Sequence, residues 1–296
     1  MILLTFIIPT YNTPDEWLQA CLESIVNLSL TTDEREIIVV DDGSEKPVDE
    51  ELVKRYNGQL ISQPHAGVSV ARNQALKIAK GKYIQFVDAD DHLIVEGYEE
   101  VLNYLMIEKP DAVGFTFYNK KRRSRPHHLC SGTYFVRHYN LFGAVWSYTF
   151  LRDKIKTMEF APDLQHGEDE LFTLKAMLEM DLVRITNIAA YNYRSNDQSV
   201  TYQSSPHAVQ KRLNDHLELI KRIDWFMYYL EGKKYKAAKR RIAQLSADYL
   251  QNTRRLTHSK EKLQTARKQL KELHLYPLPL KCYTWKYLFQ AIRTHL

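Results

Sequence analysis

The sequence predicts an α/β protein: a doubly wound, mostly parallel, Rossmann-like sheet flanked by helices, with a helical C-terminal appendage. Three observations carry that prediction. Strand-length apolar runs alternate with helix-period segments four times between Leu3 and Asp91. Polar or acidic residues (Tyr11, Asp42, Asp90) follow those runs, and open α/β sheets bind ligands outside the carboxyl ends of their strands. Beyond Pro206 only helix-period patterns remain.

Leu3 to Ile8 is a nearly continuous apolar run, the pattern of a strand buried on both faces. Pro9 is expected to end it, because proline has no N–H for a ladder. After the turn Thr10-Tyr11-Asn12, the residues Trp17, Leu18, Cys21, Ile25 and Leu28 share one helix face. Glu36 to Val40 is the second strand, closed by Asp41-Asp42-Gly43-Ser44. A helix over about Asp49 to Tyr56 leads to a short strand at Leu60-Ile61. The stretch from His65 to Asn73 enters a helix through about Ala79, which Gly81 ends. A strand from Tyr83, with Ile84, Phe86 and Val87 apolar, then runs into Asp88-Ala89-Asp90-Asp91. A helix starts near Val95, and Asp111 to Tyr118 is a further strand. The basic run Lys120 to Arg125 reads as a solvated loop, and Phe135 to Phe150 is aromatic-rich. Gly167-Glu168-Asp169-Glu170 opens a helix with Leu171, Leu174 and Leu178 inward. Acids in a first turn are stabilised by the helix dipole. Val183 to Tyr193 reads as one or two strands, and Arg194 to Ser199 as a polar loop.

In the tail, Leu213, Leu217, Ile220, Ile223, Met227 and Leu230 line one helix face. Tyr235 to Leu250 and Ser259 to Leu273 are basic helices. Trp285, Leu288, Phe289, Ile292 and Leu296 share a last apolar face, with Lys281, Lys286 and Arg293 beside it.

A length of 296 residues with 44% hydrophobic content suits one large domain, or one domain with an appendage, and excludes wholesale disorder. Cys21, Cys130 and Cys282 are too far apart for a disulfide framework or a Cys-rich zinc site, which points to a reducing compartment. No stretch approaches the ~20 apolar residues of a membrane span, and the N-terminal run reads as a strand rather than a signal peptide. The net charge of +5 hides an asymmetry. Residues 207–296 hold 20 Lys/Arg against 7 Asp/Glu, and residues 1–206 hold 21 against 29. An acidic front and a basic tail suggest two functional halves.

Three acids within Asp88 to Asp91 repel one another unless something positive sits among them. One reading is a polar turn that ends the strand and caps the next helix. The other is a divalent-cation site, since hard oxygen ligands suit Mg²⁺ or Mn²⁺.

Five segments, in this order, resemble the family-2 glycosyltransferases of GT-A fold over roughly residues 1–205. They are Ile8-Pro9-Thr10-Tyr11-Asn12, Asp41-Asp42-Gly43-Ser44, Gly67 to Asn73, Phe86 to Asp91, and Gly167-Glu168-Asp169. The resemblance implies a nucleotide-sugar region over 1–92, an acceptor side with the catalytic base over 93–205, and a basic helical region over 206–296. It implies that Pro9, Tyr11 and Asp42 hold the nucleobase, commonly uridine. Tyr11 can stack on the base, and Asp42 can accept from a ring N–H. Asp41 would assist them or orient the loop, and Arg72 would contact the diphosphate or pair with the acid cluster. Asp88 would lie near the ribose, Asp90 would ligate Mn²⁺ or Mg²⁺, and Asp91 stands near the metal or the acceptor. Asp169 matches the catalytic base and is expected to be ionised at neutral pH without tuning. Glu168 would position its loop, Glu170 would face solvent, and Arg194 and Ser199 fall in a loop that could close over the diphosphate. One base and one metal imply a single displacement that inverts the anomeric configuration.

The chain lacks the Gln-x-x-Arg-Trp motif and the spans of processive relatives such as cellulose synthases, which favours transfer of one sugar at a time. The implied acceptor is a saccharide or lipid-linked saccharide in cell-surface polysaccharide synthesis, reached by a cytoplasmic enzyme, peripheral at the inner face of the membrane. Two readings of the tail stand side by side. Residues 260–296 could dock on an anionic membrane surface, or the same apolar stripes could pack on the catalytic domain or a second copy of the chain. The other function classes are a catalytically silent nucleotide-sugar-binding subunit and a sugar-phosphate nucleotidyltransferase. The first is disfavoured by Asp42, Asp90 and Asp169 together, the second by Pro9-Thr10-Tyr11-Asn12 where a Gly-rich phosphate loop belongs. No nucleic-acid-binding module is recognisable.

Overall fold

A computed structural model describes residues 1–118, 128–194, 205–281 and 283–294. The basic run at Lys120 to Arg125, Ser199, Cys282 and Leu296 lie outside the described residues. In chain order the elements are β1 (Leu4–Thr10), α1 (Asp15–Val26), β2 (Arg35–Asp41), α2 (Glu50–Arg55), β3 (Gln59–Ser62), α3 (Val68–Ile78), β4 (Tyr83–Phe86), β5 (His92–Leu93), α4 (Val95–Ile107), β6 (Ala112–Phe117) and α5 (Gly132–His138). A 3₁₀ turn (Val145–Ser147), β7 (Tyr148–Leu151), α6 (Arg152–Ile155), α7 (Glu168–Glu179) and β8 (Val183–Asn192) complete the first part. Four helices follow: α8 (Pro206–Met227), α9 (Gly232–Thr257), α10 (Lys260–Glu272) and α11 (Trp285–Ile292).

The strands form one eight-stranded sheet in the order β3-β2-β1-β4-β7-β6-β8-β5. β3, β2, β1 and β4 are parallel neighbours, so the loops after all four leave the sheet at one edge. β7 runs antiparallel to β4, with Gln85 opposite Thr149, which brings the start of β7 to that same edge. Pro9 does not end β1; it pairs in register with Val40. The reason is geometric. Ile7 turns its carbonyl to the β4 side, where it accepts from Val87, and Pro9, two residues on, faces the same way. β4 has stopped at Phe86, so proline's missing N–H breaks no ladder bond.

Successive β1 residues alternate between two cores. Leu4, Phe6 and Ile8 pack with α1, α2 and α4, while Ile7 packs with α3, α7 and the C-terminal helices. That second core runs without a break from Ile84 and Phe86 through Leu174 to Ile220, Ile223 and Leu245. Each fully buried Ile or Leu in it contributes about 1.5–3 kcal/mol. The buried face of the tail is therefore continuous with the core of the sheet domain. The last helix differs from its expectation. Tyr287 and Ala291 face inward, whereas Trp285, Phe289 and Ile292 of the predicted stripe are exposed.

Candidate active site

The loops after β1 and β2 are built around two adjacent aspartates. Asp41 accepts from the Ser44 and Val48 N–H groups at 3.0 and 3.2 Å, which fixes the chain after β2. Asp42 binds the next loop. One of its oxygens accepts from Gln63 Nε2 at 2.6 Å and Ala66 N at 2.9 Å. The other accepts from Gly67 N at 2.8 Å and stands 2.9 Å from His65 Nδ1. Three hydrogen bonds and the adjacent His65 ring, whose Nδ1 also lies 3.1 Å from the Asp42 carbonyl, thus surround this carboxylate. Gly43 (φ +75°) and Gly67 (φ +95°) permit the turns, and a Cβ at Gly43 would lie 2.5 Å from His65 N. Tyr11 is 47% exposed and stacks on His65 with ring centroids 4.2 Å apart. An aromatic platform at a strand end therefore rests on a ring that Asp42 holds. Pro9 is buried within β1.

The turn after β4 is the second part. The Asp88 N–H donates to the Tyr191 hydroxyl at 3.0 Å, and the Asp88 side chain is 29% exposed. Asp90 is half-buried. Asp91 is 1% exposed; one oxygen accepts the Arg194 N–H at 2.7 Å, and the other has no hydrogen-bond partner. Burial, then the neighbouring Asp88 and Asp90 charges, push the Asp91 carboxyl up to about 8. Arg194 Nε donates to the Asp90 carbonyl at 2.9 Å, and its guanidinium lies 4.8 Å from the Trp17 ring centroid. Arg194 thus braces the acidic turn from below. Ser199 lies outside the described residues.

The third part joins the first two to α7. Arg72, on the buried face of α3, donates to Asp169 Oδ1 at 2.6 Å and to Asp88 Oδ1 at 2.9 Å, with Glu168 Oε1 at 3.6 Å. Burial works against its charge, but Asp169, Asp88 and Glu168 outweigh that and hold its pKa above the ordinary value. The acid cluster is one of the two partners expected for Arg72. Asp169 Oδ2 also accepts from the Val145 N–H at 3.2 Å. Asp169 is not untuned: burial raises its pKa, and Arg72 only partly opposes this. Burial likewise pushes Glu168 up to about 8, with the Asp169 charge adding to it. Glu170 does not face solvent. It forms a two-pronged pair with Arg241 of α9, at 2.7 and 2.6 Å, and both side chains are 13% exposed.

Sequence reasoning missed His65, Gln63, Tyr191, Val145 and Arg241. His65 and Gln63 had a local signal, since both stand just before Gly67 in a loop opposite Asp42. The others act across long chain separations and had none. Taken together, the structure gathers Tyr11, Asp42, Arg72, Asp88, Asp90 and Asp169 at one sheet edge. Among the described residues, no group of three or more His, Cys, Asp or Glu is arranged to hold a metal ion.

The family model for glycosyl transferase family 2 matches residues 5–160, more than half of the 296-residue chain. The chain belongs to glycosyl transferase family 2. The family-2 match stops before Asp169. Among relatives, the uncharacterised glycosyltransferase EpsJ of Bacillus subtilis strain 168 is 29% identical over 219 residues, covering 67% of this chain and 63% of EpsJ. The chain therefore spans less than two thirds of that family-2 relative. Staphylococcus aureus TarS (residues 1–349, with UDP) superposes with a TM-score of 0.57 at 18% identity, covering 98% of this chain and 89% of that one. The mannosyltransferase PcManGT of Pyrobaculum calidifontis, in complex with GDP-Man and Mn²⁺, gives 0.59 at 17% identity, covering 98% and 86%. These likenesses show the fold, a mostly parallel α/β sheet with flanking helices.

Proposed function

We propose that this family-2 glycosyltransferase moves one sugar from a UDP-sugar to a saccharide or lipid-linked saccharide of a cell-surface polysaccharide, with inversion and with a divalent cation. The observation that carries the reading is Arg72, whose guanidinium joins Asp88 at the end of β4 to Asp169 at the start of α7. It sets the donor-side acids and one further carboxylate around the same crevice. The names of two relatives are consistent with the substrate class. TarS is a poly(ribitol-phosphate) β-N-acetylglucosaminyltransferase, and a Bacillus spizizenii relative is a poly(ribitol-phosphate) β-glucosyltransferase.

In this reading residues 1–92 hold the donor, 93–205 supply the acceptor side and the base, and 206–296 form the basic helical region, of which 260–296 serve the membrane side. Tyr11 stacks on the uracil, with Pro9 just before it in β1. Asp42 acts mainly by holding Ala66, Gly67 and the His65 ring in place, and a ring N–H of the base shares it with those donors. Asp41 keeps the loop after β2 in shape. Asp88 lies toward the ribose. Asp169 accepts the proton of the acceptor hydroxyl as its oxygen bonds to the anomeric carbon, and the bond from that carbon to the diphosphate breaks. Such a base supplies about 10²–10⁴-fold in rate. Arg72 keeps Asp169 turned toward the crevice and offsets part of the charge the cluster carries.

The residues present fit a divalent ion that relies on its substrate. Asp90 is the ligand at the exposed side of an oxygen-rich turn, Asp91 keeps one buried oxygen without a partner, and one or two carboxylates suit Mn²⁺ or Mg²⁺ only when phosphate oxygens add to them. Bound there, such an ion neutralises the charge that develops on the leaving diphosphate. The test is UDP release from a panel of UDP-sugars with Mn²⁺ or Mg²⁺, wild type against Asp90→Ala. Release by the wild type alone is expected; no release from any donor by either protein overturns the reading.

A further inference from the structure

The C-terminal helices enclose a groove that the transfer reaction does not use. It lies between α9, α10 and α11 and has a volume of about 1050 Å³. Leu250 and Leu278 form a buried apolar floor. Arg254, Arg255, Arg267 and Arg293 line the walls, and among the described residues no Asp or Glu does. Among the described residues none of these four arginines is ion-paired; Lys286 on the rim is, with Asp248 at 2.7 Å. Uncompensated guanidinium groups around an apolar floor complement an amphiphile with a phosphate head.

The surface beside the groove points to where that amphiphile comes from. Trp285, Phe289 and Ile292 are 73%, 65% and 40% exposed. Their spacing puts them on one face of α11. Phe289 and Arg293 also line the groove, so the apolar face and the cationic walls are continuous. Aromatic and aliphatic side chains beside arginines form the pattern of a helix lying in a headgroup layer. Arg255 also borders a second cavity, of about 310 Å³, that reaches His166 and Gly167 at the start of α7. The groove and the turn that carries Asp169 are therefore linked along one surface.

We propose that this groove binds the phosphate headgroup of an anionic membrane lipid while the exposed face of α11 enters the headgroup layer. The inference gives the membrane side of the proposed function its residues, and it rests on that reading only for why a membrane is useful.

The test is flotation of the full chain with vesicles of phosphatidylcholine alone or mixed with phosphatidylglycerol, with UDP release followed in parallel. Wild type is expected to float only with phosphatidylglycerol and to lose this at high salt, where charges are screened. Arg267→Glu/Arg293→Glu should bind at least about tenfold more weakly, each cation near such a surface being worth about 1 kcal/mol. Trp285→Ser/Phe289→Ser should also bind more weakly, and both variants should release UDP at the wild-type rate. Equal flotation with phosphatidylcholine alone, or unchanged binding by the charge-reversed variant, overturns the site. So does absent flotation, including the case in which a soluble polyol-phosphate polymer binds the groove instead. Should the charge-reversed variant misfold by circular dichroism, the salt series and the Trp285→Ser/Phe289→Ser variant decide. Flotation by a wild type that releases UDP from no donor leaves this site standing and removes the transfer reading.

Discussion

The strand-end half of the molecule and the C-terminal helices both grip the first turn of α7 through an arginine, and the two grips differ in charge balance. Arg241 faces one carboxylate, Glu170, in a two-pronged pair. Arg72 faces three: Asp88, Glu168 and Asp169. A matched buried pair is what a fold needs to join two layers. One cation among three acids leaves a surplus of negative charge in a half-open crevice, which holds pKa values away from their ordinary range. In the proposed function the surplus serves the reaction, and the matched pair is a joint.

The largest effect that separates the two grips is Asp169→Asn. The amide keeps the size and the Arg72 contact but cannot take a proton. Transfer should fall by about 10²–10⁴-fold, with UDP binding retained in calorimetry. Glu170→Gln, one residue on, should retain transfer. Loss of UDP binding by Asp169→Asn would mean that the residue belongs to the donor pocket instead.

Removal of divalent metal comes next. Chelation should stop UDP release, and Mn²⁺ or Mg²⁺ should restore it. Because Asp90 is a sparse ligand set, metal should bind weakly to the donor-free protein and tightly once UDP is present, both read by calorimetry. Tight binding without UDP would contradict the view that the diphosphate completes the site.

The two arginines can then be compared directly. Arg72→Met and Arg241→Met each strand a partly buried carboxylate and should each cost up to about 3 kcal/mol in urea unfolding. Replacing both partners separates them. Arg241→Met/Glu170→Leu should recover most of the stability and keep transfer, because the pair is a joint. Arg72→Met/Asp169→Leu can recover stability but should stay inactive.

Much of the crevice was legible before the fold was known. The apolar runs end abruptly at Tyr11, Asp42 and Asp88, and a parallel sheet must bring such ends to one edge. What escaped was contact across distance. Glu170 and Arg241 are 71 residues apart, and each alone reads as a charge for solvent. Pro9 was misplaced because a strand's N–H pattern depends on which neighbour has already stopped. The stripe of α11 was sound as a periodicity, but only the position of α9 determines which face of that helix is covered. The raised pKa of Asp169 needed burial, which no local pattern reveals.

The smallest effect sharpens the comparison most finely, because it lies within the Arg72 grip. Burial pushes Glu168 up to about 8. At pH 7 its carboxyl is then mostly neutral, and its 3.6 Å separation from Arg72 is long for a charged hydrogen bond. Glu168→Gln should therefore keep wild-type transfer at pH 7. The pH dependence has a definite sign. A carboxyl whose folded pKa lies above its unfolded value of 4.5 binds more protons when folded. Its contribution is complete below the unfolded value and is lost as pH rises through about 8. Urea unfolding across this range should show wild type losing stability relative to Glu168→Gln. A gain instead would mean that Glu168 is ionised against Arg72, and all three carboxylates around that guanidinium would then carry charge.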